Sequence, residues 1–292
     1  MAHKAGYVNI FGNPNAGKST LMNALVGERI SIVTSKAQTT RHRILGIVNG
    51  DDYQVIYSDT PGILKPRYKL QEGMMSFIGE ALSDADVILL VVDLSDDTPM
   101  AEETFAKIRK TKAPLMILLN KCDLVSPETI AAKTEEWKKE LPAAELFAVS
   151  ALKGTNLEKI FGRIIALLPE HPGYFPKDQL TDRSERFFIS EIVREKILLN
   201  YHQEIPYSVE VVVEEFKENE TLVKIRANIF VSRETQKAIL IGNKGSAIKQ
   251  LGIDSRADIE KFLGKKVFLE LFVKVDKDWR DTEKGLRRYG YL

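Results

Sequence analysis

The run Gly12-Asn13-Pro14-Asn15-Ala16-Gly17-Lys18-Ser19 constrains this chain more than any other stretch. It has the spacing G-x-x-x-x-G-K-[ST], and it lies between a segment that reads as a strand, 7–12, and one that reads as a helix, 18–26. The glycines reach backbone conformations closed to other residues, so the loop can curl until successive N–H groups face one point. A helix N-terminus behind the loop adds positive potential there. Such a cradle suits phosphate. Lys18 would reach β- and γ-phosphates, the Ser19 hydroxyl would ligate Mg²⁺, and Thr20 follows in the same turn.

The surrounding sequence supplies the fold that this loop needs. Strand-like runs at 7–12, 44–49, 53–59, 87–93, 114–120 and 145–150 alternate with helical stretches at 18–26, 102–110, 126–141 and 156–168. Several of the strands are almost wholly apolar, as in a sheet covered on both faces. The pattern predicts a doubly wound α/β domain over residues 1–170. The segment 168–176 then holds three prolines and a glycine, which predicts a linker, 171–183. With 292 residues a second domain is expected, over 184–292. That part reads helix, two hairpin strands, helix, helix, strand, helix, with the helices around its glycine loop at 235–241 and 247–251.

Composition excludes several classes. The single cysteine, Cys122, rules out an intrachain disulfide scaffold, and the four histidines lie too far apart for zinc spacing. The run Val87–Val92 is the longest apolar stretch and is far short of a membrane span. The N-terminus shows no signal-peptide core, so the cytoplasm is the expected compartment. A formal net charge of +1 hides an uneven distribution. Residues 177–223 carry six basic and eleven acidic side chains, whereas 224–292 carry sixteen and nine. The C-terminal stretch is therefore basic, as nucleic-acid partners require.

Three further motifs follow the loop in order. Asp59-Thr60-Pro61-Gly62 ends a strand; Asp59 would hold Mg²⁺ through water, and the Gly62 N–H would meet a γ-phosphate. Asn120-Lys121-Cys122-Asp123 ends another. Its Asp123 carboxylate can accept from both N1–H and the 2-amino group of guanine, a donor pair that adenine lacks. Ser150-Ala151-Leu152-Lys153-Gly154 ends the next, with backbone N–H groups for the guanine O6. All lie at carboxyl ends of strands, where open α/β sheets bind ligands.

This set, over residues 5–170, resembles the Ras-like GTPase superfamily in its bacterial, translation-factor-related branch. The resemblance implies hydrolysis of GTP to GDP with Mg²⁺, and a first switch at Gln38-Thr39-Thr40-Arg41-His42 whose threonine closes on the metal. Thr40 is the favoured ligand and Thr39 the alternative. It also implies switch segments around 29–43 and 60–80. Lys18, Thr40, Asp59 and Gly62 would carry catalysis. Many relatives place a water-orienting glutamine after the second motif, but here that position is Ile63, so slow intrinsic turnover is expected. Asn15 has two readings: a ligand for K⁺ lying between the phosphates, or a residue that only shapes the loop.

In the C-terminal part, Gly242-Asn243-Lys244-Gly245 joins two helical segments, with Lys249 nearby. It resembles the GxxG loop of a KH domain, which clamps about four nucleotides by close backbone approach. The order of elements is that of a type II KH domain, an α+β fold. Together with Gln38–Ile44, Arg194–Leu198 and Glu204–Val211, the chain resembles a bacterial family that joins a Ras-like GTPase to one KH domain and acts in small-subunit ribosome assembly. The resemblance implies binding to the 3′ end of 16S ribosomal RNA and the 30S precursor, no DNA, and peripheral contact with the inner membrane. The alternative is a nucleotide-gated module of another RNA pathway, such as tRNA modification.

Overall fold

The computed structural model describes residues 2–292. The chain forms two compact units, one of residues up to Arg67 with Met74–Asp182, the other of Tyr68–Gly73 with Arg183–Leu292.

The first unit runs β1 (Lys4–Phe11), α1 (Lys18–Val26), β2 (Ile44–Asn49), β3 (Tyr53–Asp59), α2 (Lys69–Ser83, of which the part from Met74 onward belongs to this unit), β4 (Val87–Asp93), α3 (Glu102–Arg109), β5 (Leu115–Asn120), α4 (Pro127–Glu140), β6 (Glu145–Ala148) and α5 (Leu157–Leu167). Its sheet has the order β2-β3-β1-β4-β5-β6. All neighbours are parallel except β2 with β3. Val8, Ile10, Ile88, Leu89, Leu90, Ile117 and Leu118 are fully buried, because helices cover both faces of the central strands. The mixed α/β fold expected from the alternation is present. The helix α2, which the sequence reading left within the second switch, is an addition. Its apolar residues Leu70, Met74, Ile78 and Ala81 fall on one buried face.

The segment expected to be a bare linker is bound along this unit. The Ala5 N–H donates to the Pro169 carbonyl (3.2 Å) and the His171 N–H to that of His3 (3.0 Å). The buried Gln54 amide accepts from the N–H groups of Tyr174 (2.6 Å) and Phe175 (3.0 Å) and donates to the Phe175 carbonyl (2.8 Å). Further on, the Ile47 N–H donates to Leu180 (2.8 Å), Gly46 bridges Thr181 in antiparallel fashion, and Leu45 N–H reaches the Asp182 carboxylate (3.1 Å). Prolines stop a helix, but they do not stop a chain from being held by side chains distant in sequence.

The second unit contains α6 (Glu185–Asn200), α7 (Ile205–Ser208), β7 (Glu210–Glu218), β8 (Leu222–Val231), α8 (Glu234–Ile241), α9 (Ser246–Leu263), β9 (Lys266–Val275) and α10 (Glu283–Arg288). Its sheet has the order β7-β8-β9, with β7 antiparallel and β9 parallel to β8. Helix α9 continues far beyond the 247–251 read from sequence. Gly252, Asp254 and Ser255 are poor helix formers, but packing overrides them. Ser255 and Ile259 are buried, and a Cβ at Gly252 would meet Leu271 at 3.8 Å. Among the described residues no helix is long and apolar enough to cross a membrane.

Candidate functional site

Strand β1 delivers the chain to Gly12, and α1 begins six residues later at Lys18. Between them Gly17 adopts φ 94°, and a Cβ there would lie 2.3 Å from the Asn120 amide nitrogen. Only glycine fits. Asn120 uses that closeness: it donates to the Ala16 carbonyl (2.7 Å) and accepts from the Ala151 N–H (3.0 Å). One buried side chain thus ties together the loops that begin at Gly12, Asn120 and Ser150. Lys18 is 5% exposed and donates to the carbonyls of Gly12 (3.0 Å) and Asn13 (2.8 Å). Burial pushes its pKa down to about 8.

Three oxygen-bearing side chains meet beside this lysine. Ser19 Oγ donates to Asp59 Oδ2 (2.7 Å), Thr40 Oγ1 donates to the same oxygen (3.2 Å), and the two hydroxyls are 2.9 Å apart. The other carboxylate oxygen, Asp59 Oδ1, is buried with no partner. Burial raises the pKa of Asp59, opposed by its bond from Ser19. Two hydroxyls and a carboxylate with an orphaned oxygen are the hard donor set that Mg²⁺ prefers. Thr39 is turned elsewhere, bonded to Thr34 Oγ1 (2.7 Å) and the Lys36 carbonyl (2.6 Å).

The remaining residues singled out in the sequence line this place or brace it from behind. Thr60 is buried and donates to the Ile10 carbonyl (2.7 Å), bracing the strand end. Pro61 is buried, and a Cβ on Gly62 would lie 2.8 Å from the Pro14 backbone, so these two loops touch only because Gly62 is bare. Ile63 donates its N–H to Gly12 (3.1 Å) and packs with Phe11, Ile78 and Leu90. It belongs to the core, where a glutamine side chain would be stranded. Lys121 has φ 63° and pairs with Asp93, turning the backbone so that Asp123 stands at the mouth. Ser150 is buried and accepts from the Lys153 N–H (3.1 Å), while Leu152 is exposed. Of these, Gly62, Lys121, Asp123, Ser150 and Leu152 line, with Lys18, Ser19 and Thr40, a cavity of about 560 Å³ whose wall also takes in Thr20, residues 32–36 and residues 38–39.

Sequence reasoning missed the anchors of the segment 30–43. Asn23 accepts from the N–H groups of Ile30 (3.0 Å) and Ser31 (2.9 Å), and Asn15 donates to the Ser35 carbonyl (2.9 Å). At its far end Arg43 donates to Ser58 Oγ (2.7 Å) and forms a two-pronged pair with Asp84 (2.6 and 3.0 Å). Only the polarity of Asn23 and Arg43 hints at this in sequence.

In the second unit, Gly242 (φ 71°) and Gly245 (φ 79°) bracket a single 3₁₀ turn, Asn243–Gly245, between α8 and α9. A Cβ at Gly242 would lie 2.6 Å from the Ala247 Cβ, whereas one at Gly245 would meet nothing within 4 Å. Asn243, Lys244 and Lys249 are exposed. Beside the loop, a groove of about 340 Å³ runs between α9 and β9, lined by Ile248, Lys249, Gly252, Arg256, Phe268 and Leu271. Its β9 wall was not picked out in the sequence, although Phe268 stands in the outward phase of an alternating strand.

Comparison with known proteins matches both halves. The family described as 50S ribosome-binding GTPase matches residues 7–121, and the KH domain family matches 204–280. GTPase Era of Staphylococcus haemolyticus (strain JCSC1435) is 42% identical over 292 residues, covering 99% of this chain and 98% of that protein. GTPase Era of Staphylococcus epidermidis is likewise 42% identical with the same coverage. A crystal structure of Era in complex with MgGDPNP and nucleotides 1506–1542 of 16S ribosomal RNA superposes with a TM-score of 0.94 at 39% identity, covering 99% of both chains. Aquifex aeolicus Era bound to GDP·AlF4⁻, as a point variant, gives 0.94 at 38% identity, again with 99% coverage of both.

Proposed function

The chain belongs to the Era family of GTPases, and from that premise we propose that its GTP hydrolysis governs binding of the 3′ end of 16S ribosomal RNA during assembly of the 30S ribosomal subunit. The observation that carries this reading is the meeting of Ser19, Thr40 and Asp59 around an unpartnered carboxylate oxygen, in a chain that also displays an exposed glycine loop on a KH fold. In this reading residues 1–170 are the GTPase domain, 171–183 the connecting segment and 184–292 the RNA-binding domain.

Each side chain then has a task. Lys18 sets its ammonium against the β- and γ-phosphates, where phosphate charge offsets the cost of burial. Ser19 and Thr40 would hold Mg²⁺ directly and Asp59 through water; the ion, when bound, neutralises phosphate charge. Thr40 lies in the segment 30–43, so whatever draws it toward Ser19 also orders that segment. The Gly62 N–H faces the γ-phosphate. Asp123 selects guanine, while Asn120 holds the Ala151 loop against the phosphate loop. Ile63 leaves the attacking water without a side-chain partner. In our reading Asn15 would hold K⁺, which would offset charge between the phosphates: its nitrogen is engaged by Ser35, which leaves its oxygen for a hard cation. Peripheral contact with the inner membrane rests only on the basic charge of 224–292.

The test is GTP turnover with and without an oligonucleotide of the 16S 3′ end, in KCl and in NaCl at equal ionic strength. Turnover should rise with the RNA and be faster in K⁺. Identical rates with and without RNA would break the coupling, and identical rates in the two salts would remove the K⁺ role.

A further inference from the structure

The sheet of the second unit buries one face, where Val223, Ile225, Ala227 and Ile229 of β8 and Val267 and Val273 of β9 join the core. The alternate residues form the opposite face. Register sets Lys224 beside Phe268, Arg226 beside Glu270 and Asn228 beside Phe272. Phe268 is 52% and Phe272 43% exposed, and four residues of strand put them about 13 Å apart. That spacing suits two separate bases. The Arg226 guanidinium lies 5.6 Å from the Phe272 ring centre. It also reaches Glu270 (3.3 Å) and Glu215 (3.8 Å), while Glu214 accepts from Asn228 (3.0 Å) and lies 3.8 Å from Lys274. The carboxylates on this face are therefore already matched. Beneath them the Arg226 Nε donor and the Asn228 Oδ1 acceptor are buried without partners, and Asn228 is only 3% exposed.

We propose that this face is a second nucleic-acid surface, on which bases of single-stranded RNA stack against Phe268 and Phe272 as the strand leaves the groove beside Gly242–Gly245. The proposal rests on the RNA-binding reading and extends the same site, because Phe268 lines that groove as well. The occupant follows from the chemistry. The two rings are separated on their own strand by Glu270 and flanked by Lys224, Arg226 and Lys274 instead of forming one apolar patch. Every base offers a flat face to a ring, and Lys224 beside Phe268 adds attraction for backbone phosphate.

The test uses the full chain, fluorescence anisotropy and two probes: a twelve-nucleotide single strand of the 16S 3′ end, and the shortest fragment of it that still binds. Phe272→Leu keeps an apolar side chain and so preserves the fold, which an unchanged melting temperature checks. It should weaken the long strand by at least about fivefold, leave the short one unchanged, and be rescued by Phe272→Tyr. Equal binding of the long strand by wild type and Phe272→Leu overturns the proposal. So does an equal loss on both probes, which would indicate damage to the groove. A change in sedimentation mass of the variant overturns it differently, making the face a contact between copies of the chain. Absence of binding by the wild type to either probe removes the RNA-binding reading itself and this surface with it.

Discussion

Both units turn a glycine-bracketed loop into a helix N-terminus, yet the two loops are closed to very different degrees. At Gly12–Ser19 the space left by Gly17 is filled by Asn120, Lys18 is buried against two carbonyls, and Gly62 abuts Pro14. At Gly242–Gly245 one glycine packs on Ala247, but the other opens onto empty space, and Asn243 and Lys244 before it are exposed. The first loop is held by buried bonds that join three segments, so a change at one residue is felt by all of them. The second offers backbone and charge to a polymer that must come and go, and a change there stays local. A compact ligand rewards preorganisation, whereas a chain ligand rewards access.

The contrast is broken first at Lys18. Lys18→Ala should lower GTP affinity by at least about 100-fold, through loss of charge-assisted bonds to phosphate, while RNA affinity without nucleotide stays at wild-type level. Calorimetry and anisotropy on the same variant decide it; a parallel fall in RNA affinity would show the loops are not separate. Asp123→Asn should cost about 2–4 kcal/mol of GTP affinity and shift preference toward xanthine nucleotides, since the carboxamide turns an acceptor into a donor. Unchanged binding would strip Asp123 of the selector role. Replacing Asn243-Lys244 by two aspartates should weaken RNA at least about tenfold and lower the salt slope by about one, with GTP affinity untouched. A folded variant with wild-type RNA affinity would remove the loop from the RNA site.

The smallest effect sharpens the comparison through protons. Lys18 is pushed down from 10.5 to about 8 by burial, so between those values the folded, nucleotide-free protein holds fewer protons than the unfolded chain. Its contribution to stability therefore rises with pH from about 8 toward 10.5. Bound phosphates favour the ammonium, so nucleotide binding should take up a proton and weaken over the same range. At pH 8.5 the calorimetric enthalpy should differ between buffers of different ionisation enthalpy. Equal enthalpies would mean that Lys18 is charged before the nucleotide arrives.

Much of this was legible in the residues. Apolar runs ended by turn or charged residues mark strands, most plainly in the almost wholly apolar β4, so β2, β3 and β4 fall where they were read. The nucleotide motifs are local, and their order alone assembles the cavity. What escaped was set by partners far along the chain. Nothing in Pro169–Pro176 announces that the Gln54 amide will capture it. The spacing of Leu70, Met74, Ile78 and Ala81 does encode α2, but the reading of that stretch as a mobile switch hid it. Between Thr39 and Thr40 the sequence gives no preference of its own; only the backbone decides which hydroxyl faces Asp59. Gly252 looks like a stop and is in fact a place where a helix approaches Leu271.

The pairing of Leu180–Asp182 with β2 bears on how this protein can be divided. Strand β2 ends the sheet order, and Leu45 and Ile47 point their N–H groups outward from it. Covered by the segment after the prolines, they are satisfied. A fragment cut at residue 170 would bare them as a ready template for another strand, and such edges drive association between molecules. A fragment ending at Asp182 keeps its own cover. Cover of the β2 edge therefore depends on a dozen residues that belong, by sequence, to the connection beyond the sheet.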